Sequence, residues 1–140
     1  MPLIGSVPAA FTEAEGLAYL ERQHQRLAEG TGWSFAIAEL GTDRAVGTAG
    51  LWRHEGGRAT AGYVVAPACR GRGYAKAALR ALTGFAWTQP DIDRVDLLIE
   101  PANLASIAVA RSCGYREDGR HHTEIGGRMR DMLRYAADRH

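Results

Sequence analysis

Residues Val64 to Leu79 read VVAPACRGRGYAKAAL, and the change of character within them decides how the rest of the chain is laid out. The apolar run stops at Pro67, which has no N–H to give a ladder and so closes a strand. From Gly73 to Trp87, Ala75, Ala78, Leu79, Leu82, Phe85 and Ala86 recur at helical spacing, which predicts a helix with one apolar face. Between strand and helix lie Arg70, Gly71, Arg72 and Gly73. A helix start exposes about four unpaired N–H groups and roughly half a positive charge, so anions bind there. Glycines let the backbone approach a bulky ligand without a Cβ in the way. Arg70, Arg72 and Lys76 add charge, and arginine can grip phosphate through two N–H groups. The corner therefore reads as a pyrophosphate cradle built mainly from main chain; a glycine-rich turn with solvated arginines carries the same letters. Both common nucleotide fingerprints fail. G-x-G-x-x-G meets Lys76 where it needs its last glycine, and no G-x-x-x-x-G-K-[ST] run occurs.

Upstream, SFAIAEL, VGTAGLWRH and TAGYVVA are short strands joined by the turns GTDR and HEGGR, an antiparallel meander. Trp33, Phe35 and Trp52 within it either line a cleft or fill the core, and core is the reading taken. Ahead of it, Thr12 to Glu29 is predicted to be one helix. Thr12 and Glu15 form a capping box, Leu17, Leu20 and Leu27 mark a stripe shared by His24, and Gly30 and Gly32 close it. Downstream, RVDLLIE is apolar on both faces, as a central strand should be. Asn103 is an N-cap for a helix carrying Leu104, Ile107, Ala108 and Ala110, which ends at Gly114 with Tyr115 packed behind it. REDGRHHTEI and GRMRDMLRYAA form a last pair of strands joined near Gly126 and Gly127. The order α-β-β-β-α-β-α-β-β places the chain in the α/β (α+β) class. It predicts a mixed, mostly antiparallel sheet, with helices on both faces and one right-handed crossover.

With 140 residues the chain is expected to form a single domain, 1–140. A formal net charge of +1 provides no global field for nucleic acid or an acidic membrane, so neither is expected as a partner. No run approaches the ~20 apolar residues of a membrane span, and the first residues lack the charged and apolar regions of a secretory signal. Cys69 and Cys113 are expected to be free thiols in a reducing cytoplasm. His121 and His122 lack further ligands at metal spacing, so no metal is expected.

The spacing Arg70-x-x-Gly73-x-Ala75 resembles the R/Q-x-x-G-x-G/A signature of the GNAT superfamily of N-acetyltransferases. AGYVVAPACRGRGYAKAALRAL looks like that family's strand, turn and helix. IEPANLASIAVARSCGYREDG resembles the later segment of its ribosomal-protein-alanine N-acetyltransferase branch, in which an Asn, a Ser three residues on and a Gly-aromatic pair recur. The resemblance implies acetyl-coenzyme A as co-substrate and direct transfer to a primary amine, of a protein N-terminus or a small molecule. It implies a splay between the TAGYVVA and RVDLLIE strands. The pyrophosphate would lie on the amides of Gly71, Arg72, Gly73, Tyr74, Ala75 and Lys76, with Arg70 and Arg72 flanking it. The coenzyme arm would pair with the backbone of Val64 and Val65, and Asn103 would help hold it, a role compatible with N-capping. A backbone N–H near Val65 would face the developing oxyanion.

The catalytic groups are less sharply marked. Many relatives carry a tyrosine seven residues after the asparagine, and here that position is Ala110. Ser106 matches the branch's proposed proton donor and is equally a helix residue bonding Asn103. Glu100 is the base candidate, with Glu39, His54 and Glu55 behind it; each is also an ordinary surface charge. The family's opening strand looks shortened or missing ahead of Thr12, which leaves a sheet edge for a possible homodimer. An acetyl-coenzyme A sensor without turnover is the alternative function.

Overall fold

The computed structural model describes residues 18–22, 32–39, 41–42, 44–71 and 73–139. Its elements in chain order are β1 (Ala18–Arg22), β2 (Gly32–Glu39), β3 (Ala45–Arg53), β4 (Arg58–Val65), α1 (Tyr74–Trp87), β5 (Arg94–Ile99), α2 (Leu104–Ser112), β6 (Arg116–Ile125) and β7 (Arg128–Asp138). The seven strands form one sheet in the order β1-β2-β3-β4-β5-β7-β6. Among the described neighbours only the β4–β5 pair is parallel, joined through α1. The meander, both later helices and the closing hairpin stand where the sequence places them. The mixed, mostly antiparallel α/β fold is therefore the expected one.

The first helix is a correction. The prediction of one helix over 12–29 falls mostly outside the described residues. Its middle, Ala18–Arg22, is a strand paired antiparallel with β2, from Ala18 opposite Glu39 to Arg22 opposite Phe35. The free N–H and C=O groups along the outer edge of β2 need partners, and this pairing satisfies them. A leucine stripe states only a weak preference against that. Gly32 opens β2 instead of closing a helix. The two described helices, α1 and α2, lie against each other, with Cys113 Sγ 3.7 Å from the Lys76 carbonyl. Helices on both faces are thus not found among the described residues.

The core sits between α1 and the meander. Leu79, Leu82 and Ala86 on α1 and Ile37 and Leu51 on the strands are fully buried. Phe85 meets Trp33 and Phe35 edge-on at 5.3 and 5.2 Å between ring centres. Burying each such side chain stabilises the fold by roughly 2–3 kcal/mol. Trp33 and Phe35 are core as expected, whereas Trp52 is 43% exposed. Its ring lies across Gly50, where a Cβ would come within 2.6 Å of it. Missing side chains below the indole, and not a pocket in the core, give Trp52 its place.

Candidate active site

The site begins where the sheet fails to close. The parallel ladder between β4 and β5 runs through Arg58 opposite Arg94, Ala59 opposite Val95 and Thr60 opposite Asp96, and then stops. Beyond it β4 stays paired to β3 as far as Val65, and β5 stays paired to β7 as far as Ile99. Their facing edges separate. On β4, His54 N–H donates to the Arg58 carbonyl and Ala66 N–H to the Val46 carbonyl, both at 2.8 Å. By two-residue alternation the even positions, Val64 included, turn their backbone groups toward β3. Tyr63 and Val65 turn theirs toward the gap. The Val65 carbonyl receives Arg70 Nε at 3.2 Å.

The gap is a cavity of about 400 Å³. Tyr63, Glu100, Asn103 and Ser106 line it, so the structure brings together both proposed catalytic residues and the proposed coenzyme asparagine. Asn103 caps α2 by accepting the Ser106 N–H on Oδ1 at 3.2 Å. The cap turns the first turn of α2 toward the gap and leaves the Ser106 hydroxyl free for other contacts. Glu100 accepts Arg130 Nη1 at 2.7 Å, and both side chains keep substantial contact with water.

Tyr63 is the residue the sequence reading missed. Its hydroxyl is buried and makes no well-formed hydrogen bond among the described residues, with the Ser106 hydroxyl as its polar neighbour. Burial raises the phenol above its ordinary pKa, the Ser106 hydroxyl beside it opposes that rise, and the Cys113 thiol adds to it. The strand alternation that buries Ala59, Ala61 and Val65 was the available signal, because it puts Tyr63 on the same face. Ala110, at the position where many relatives carry tyrosine, is fully buried in the core. Tyr115 is buried too, its hydroxyl 2.6 Å from Thr83 Oγ1, as expected of a core residue.

At the mouth of the gap, Gly71 and Gly73 have φ of +80° and +81°, conformations that favour glycine. Gly73 is the N-cap of α1 and supplies no capping side chain, and the first turn holds no acidic residue. Ala77 N–H is already bonded to the Gly73 carbonyl. The N–H groups of Tyr74, Ala75 and Lys76 precede that first helical bond. A Cβ built on Gly71 meets nothing within 4 Å. The contrast with α2, whose start is capped, marks this terminus as suited to an anion, and the residues present fit a pyrophosphate. Arg70 is exposed beside it, and Arg72 lies outside the described residues. Tyr74 contributes only its N–H. Its ring is buried and its hydroxyl donates to Glu39, which also accepts Thr42 Oγ1 at 2.7 Å. Glu39 therefore ties β2 to α1 away from the gap. His54 Nε2 sits 2.8 Å from Thr60 Oγ1 outside the gap, and Glu55 lies in the turn before β4. Val64 is 62% exposed.

Residues 3–116 match the family model described as the acetyltransferase (GNAT) domain. The chain belongs to the GNAT acetyltransferase family. It is 30% identical over 112 residues to the uncharacterized N-acetyltransferase p20 of Bacillus licheniformis, covering 77% of this chain and 63% of that protein. It thus spans less than two thirds of the curated relative's length. Among solved structures it resembles Mycobacterium smegmatis RimJ in complex with CoA-disulfide, at 30% identity and a TM-score of 0.71, over 79% of this chain and 54% of that one. It shares its fold with the spermidine N-acetyltransferase of Vibrio cholerae in complex with CoA and spermine, at 19% identity and a TM-score of 0.69, over 80% and 68% of the two chains. In family terms the open β4–β5 gap is the expected splay.

Proposed function

We propose that this chain is an acetyl-coenzyme A-dependent N-acetyltransferase that moves the acetyl group directly to a primary amine, of a protein N-terminus or a small molecule. The observation that carries the reading is the gap beyond Thr60 and Asp96, opening beside an uncapped, glycine-flanked helix start. Acetyl-coenzyme A supplies an activated acyl thioester. The amides of residues 71–76 bind its diphosphate, with Arg70 and Arg72 alongside. The inward backbone groups of Tyr63 and Val65 take its arm as an added strand flanked by Val64, and Asn103 closes the other side.

Three tasks remain for the protein. The acceptor nitrogen must be neutral, and an α-amine with a pKa near ~8 needs little help. Glu100 at the rim takes its proton directly or through water. A backbone N–H near Val65 faces the charge that grows on the carbonyl oxygen. As the C–N bond forms and the C–S bond breaks, the departing sulfur takes a proton from the Tyr63–Ser106 pair. Positioning within the gap supplies much of the remaining acceleration.

The test is thiol release on mixing with acetyl-coenzyme A and a panel of amines, run beside a coenzyme titration of Gly73→Glu. Turnover with at least one amine is expected, as is a large loss of coenzyme affinity in the variant. Coenzyme binding without release for every amine would turn the reading toward a sensor. An unchanged affinity in Gly73→Glu would remove the cradle.

A further inference from the structure

We propose that the sheet face opposite α1 and α2 carries the acceptor cleft, and that the cleft selects a primary amine bearing a carboxylate close to the nitrogen. The inference rests on the acetyl-transfer reading above and names the acceptor class for the same site. A second cavity of about 590 Å³ is lined by Trp52, Arg58, Thr60, Asp96, Leu98 and Arg134, among others. Thr60 and Asp96 are the last pair of the parallel ladder, and Leu98 also lines the gap. The cavity therefore abuts the point where the strands part, which is where an incoming amine has to reach the acyl carbon.

Its charge decides what can enter. Asp96 is the carboxylate among the described lining residues, and it is spent. Oδ2 accepts Arg58 Nη2 at 2.7 Å and Nε at 3.2 Å, and Oδ1 accepts Arg94 Nε at 2.8 Å. Arg134 stands opposite Leu98 on β7 and makes no hydrogen bond among the described residues. Its charge is felt at Asp118, which is itself bound by Arg94. Two arginines against one occupied carboxylate leave an excess of positive charge. His54 and His121 also line the cavity. An anionic group on the acceptor finds free arginine N–H groups there, while a polyamine meets like charge. The exposed indole of Trp52 provides a flat apolar wall for the rest of the acceptor.

The experiment is a tryptophan-fluorescence titration of the full chain, with and without coenzyme A. Its ligands are a Ser-Glu-Asp peptide amide, its Ser-Gln-Asn counterpart, free glutamate and spermidine. The acidic peptide is expected to bind about tenfold more tightly than the neutral one, with the difference shrinking as salt rises. Arg134→Glu is expected to abolish or invert that preference, and Arg134→Gln gives the milder version if the first does not fold. Glutamate binding as well as the peptide points to a small-molecule source; binding by the peptide alone points to a polypeptide. Equal affinity for both peptides, or tighter binding of spermidine, overturns the proposal. A protein that ignores coenzyme A but still prefers the acidic peptide sinks the transfer reading and with it the acceptor role of the cleft, whereas one that binds coenzyme A and shows no such preference sinks this proposal alone.

Discussion

Replacing Tyr63 by Phe separates the catalytic role proposed for its hydroxyl from any structural one, because the two readings move stability in opposite directions. The ring packs against the core while the hydroxyl is buried with no well-formed hydrogen bond among the described residues. A buried, unsatisfied hydroxyl costs about 1–3 kcal/mol. Removing it while keeping the ring should stabilise the protein by about 1 kcal/mol, which raises the melting temperature by roughly 3 °C in a chain of this size. A hydroxyl retained only for structure would show the reverse. If Tyr63 protonates the departing sulfur, kcat should fall about 10²–10⁴-fold, equivalent to about 3–5 kcal/mol of barrier. Coenzyme affinity should change little.

The assays are thermal melts, coenzyme titration and thiol release under saturating acceptor. The pH profile gives an independent reading. Burial holds the phenol above its ordinary value, so the parent should keep its proton donor to beyond pH ~10. Any falling limb there should be missing from Tyr63→Phe. Ser106→Ala made alone and in combination tests the pair, since residues that act as a unit give strongly non-additive losses. A variant with kcat within about twofold of the parent, or one that melts several degrees lower, would refute the assignment.

Three further outcomes follow from the packing. Gly47→Ala should cost about 1–3 kcal/mol and weaken coenzyme binding, because a Cβ there would stand 2.2 Å from the Val64 carbonyl oxygen and push β4 off its register; urea unfolding and coenzyme titration check it. Asp96→Ala strips the shared partner of Arg58 and Arg94, and should cost about 2–3 kcal/mol by urea melts, less than the 3–5 of a fully enclosed pair, since both arginines keep some water. Alkali should destabilise the fold: burial holds the Tyr115 phenol well above its ordinary value, so above pH ~10 the unfolded chain loses a proton that the native state retains. Melting temperature should therefore fall from pH ~10 upward, with a smaller slope in Tyr115→Phe, and tyrosinate absorbance should appear only with unfolding.

What the sequence disclosed and what it withheld divide along the range of the forces involved. Pro67, Gly73, Asn103 and Gly114 each act on backbone groups within a few residues, so strand end, helix starts and helix end were readable from neighbours alone. The match of Asn103 Oδ1 to the Ser106 N–H spans three positions and needs no tertiary information. The face that Tyr63 takes follows from alternation, but its unpaired hydroxyl does not. That depends on β4 keeping its near neighbour β3 while losing β5 after Thr60, and the β5 partners stand more than thirty positions away. The same holds for the clasp of Asp96 by Arg58, 38 residues away, which occupies the carboxylate in the wall of the second cavity. Segment 18–22 is the complementary failure: a leucine stripe states a local preference, and an unpaired sheet edge outweighs it. Local chemistry therefore marked the proposed donor side, where main-chain amides would do the binding. The proposed acceptor side is built from long-range pairings, and its charge becomes readable only once those pairings are known.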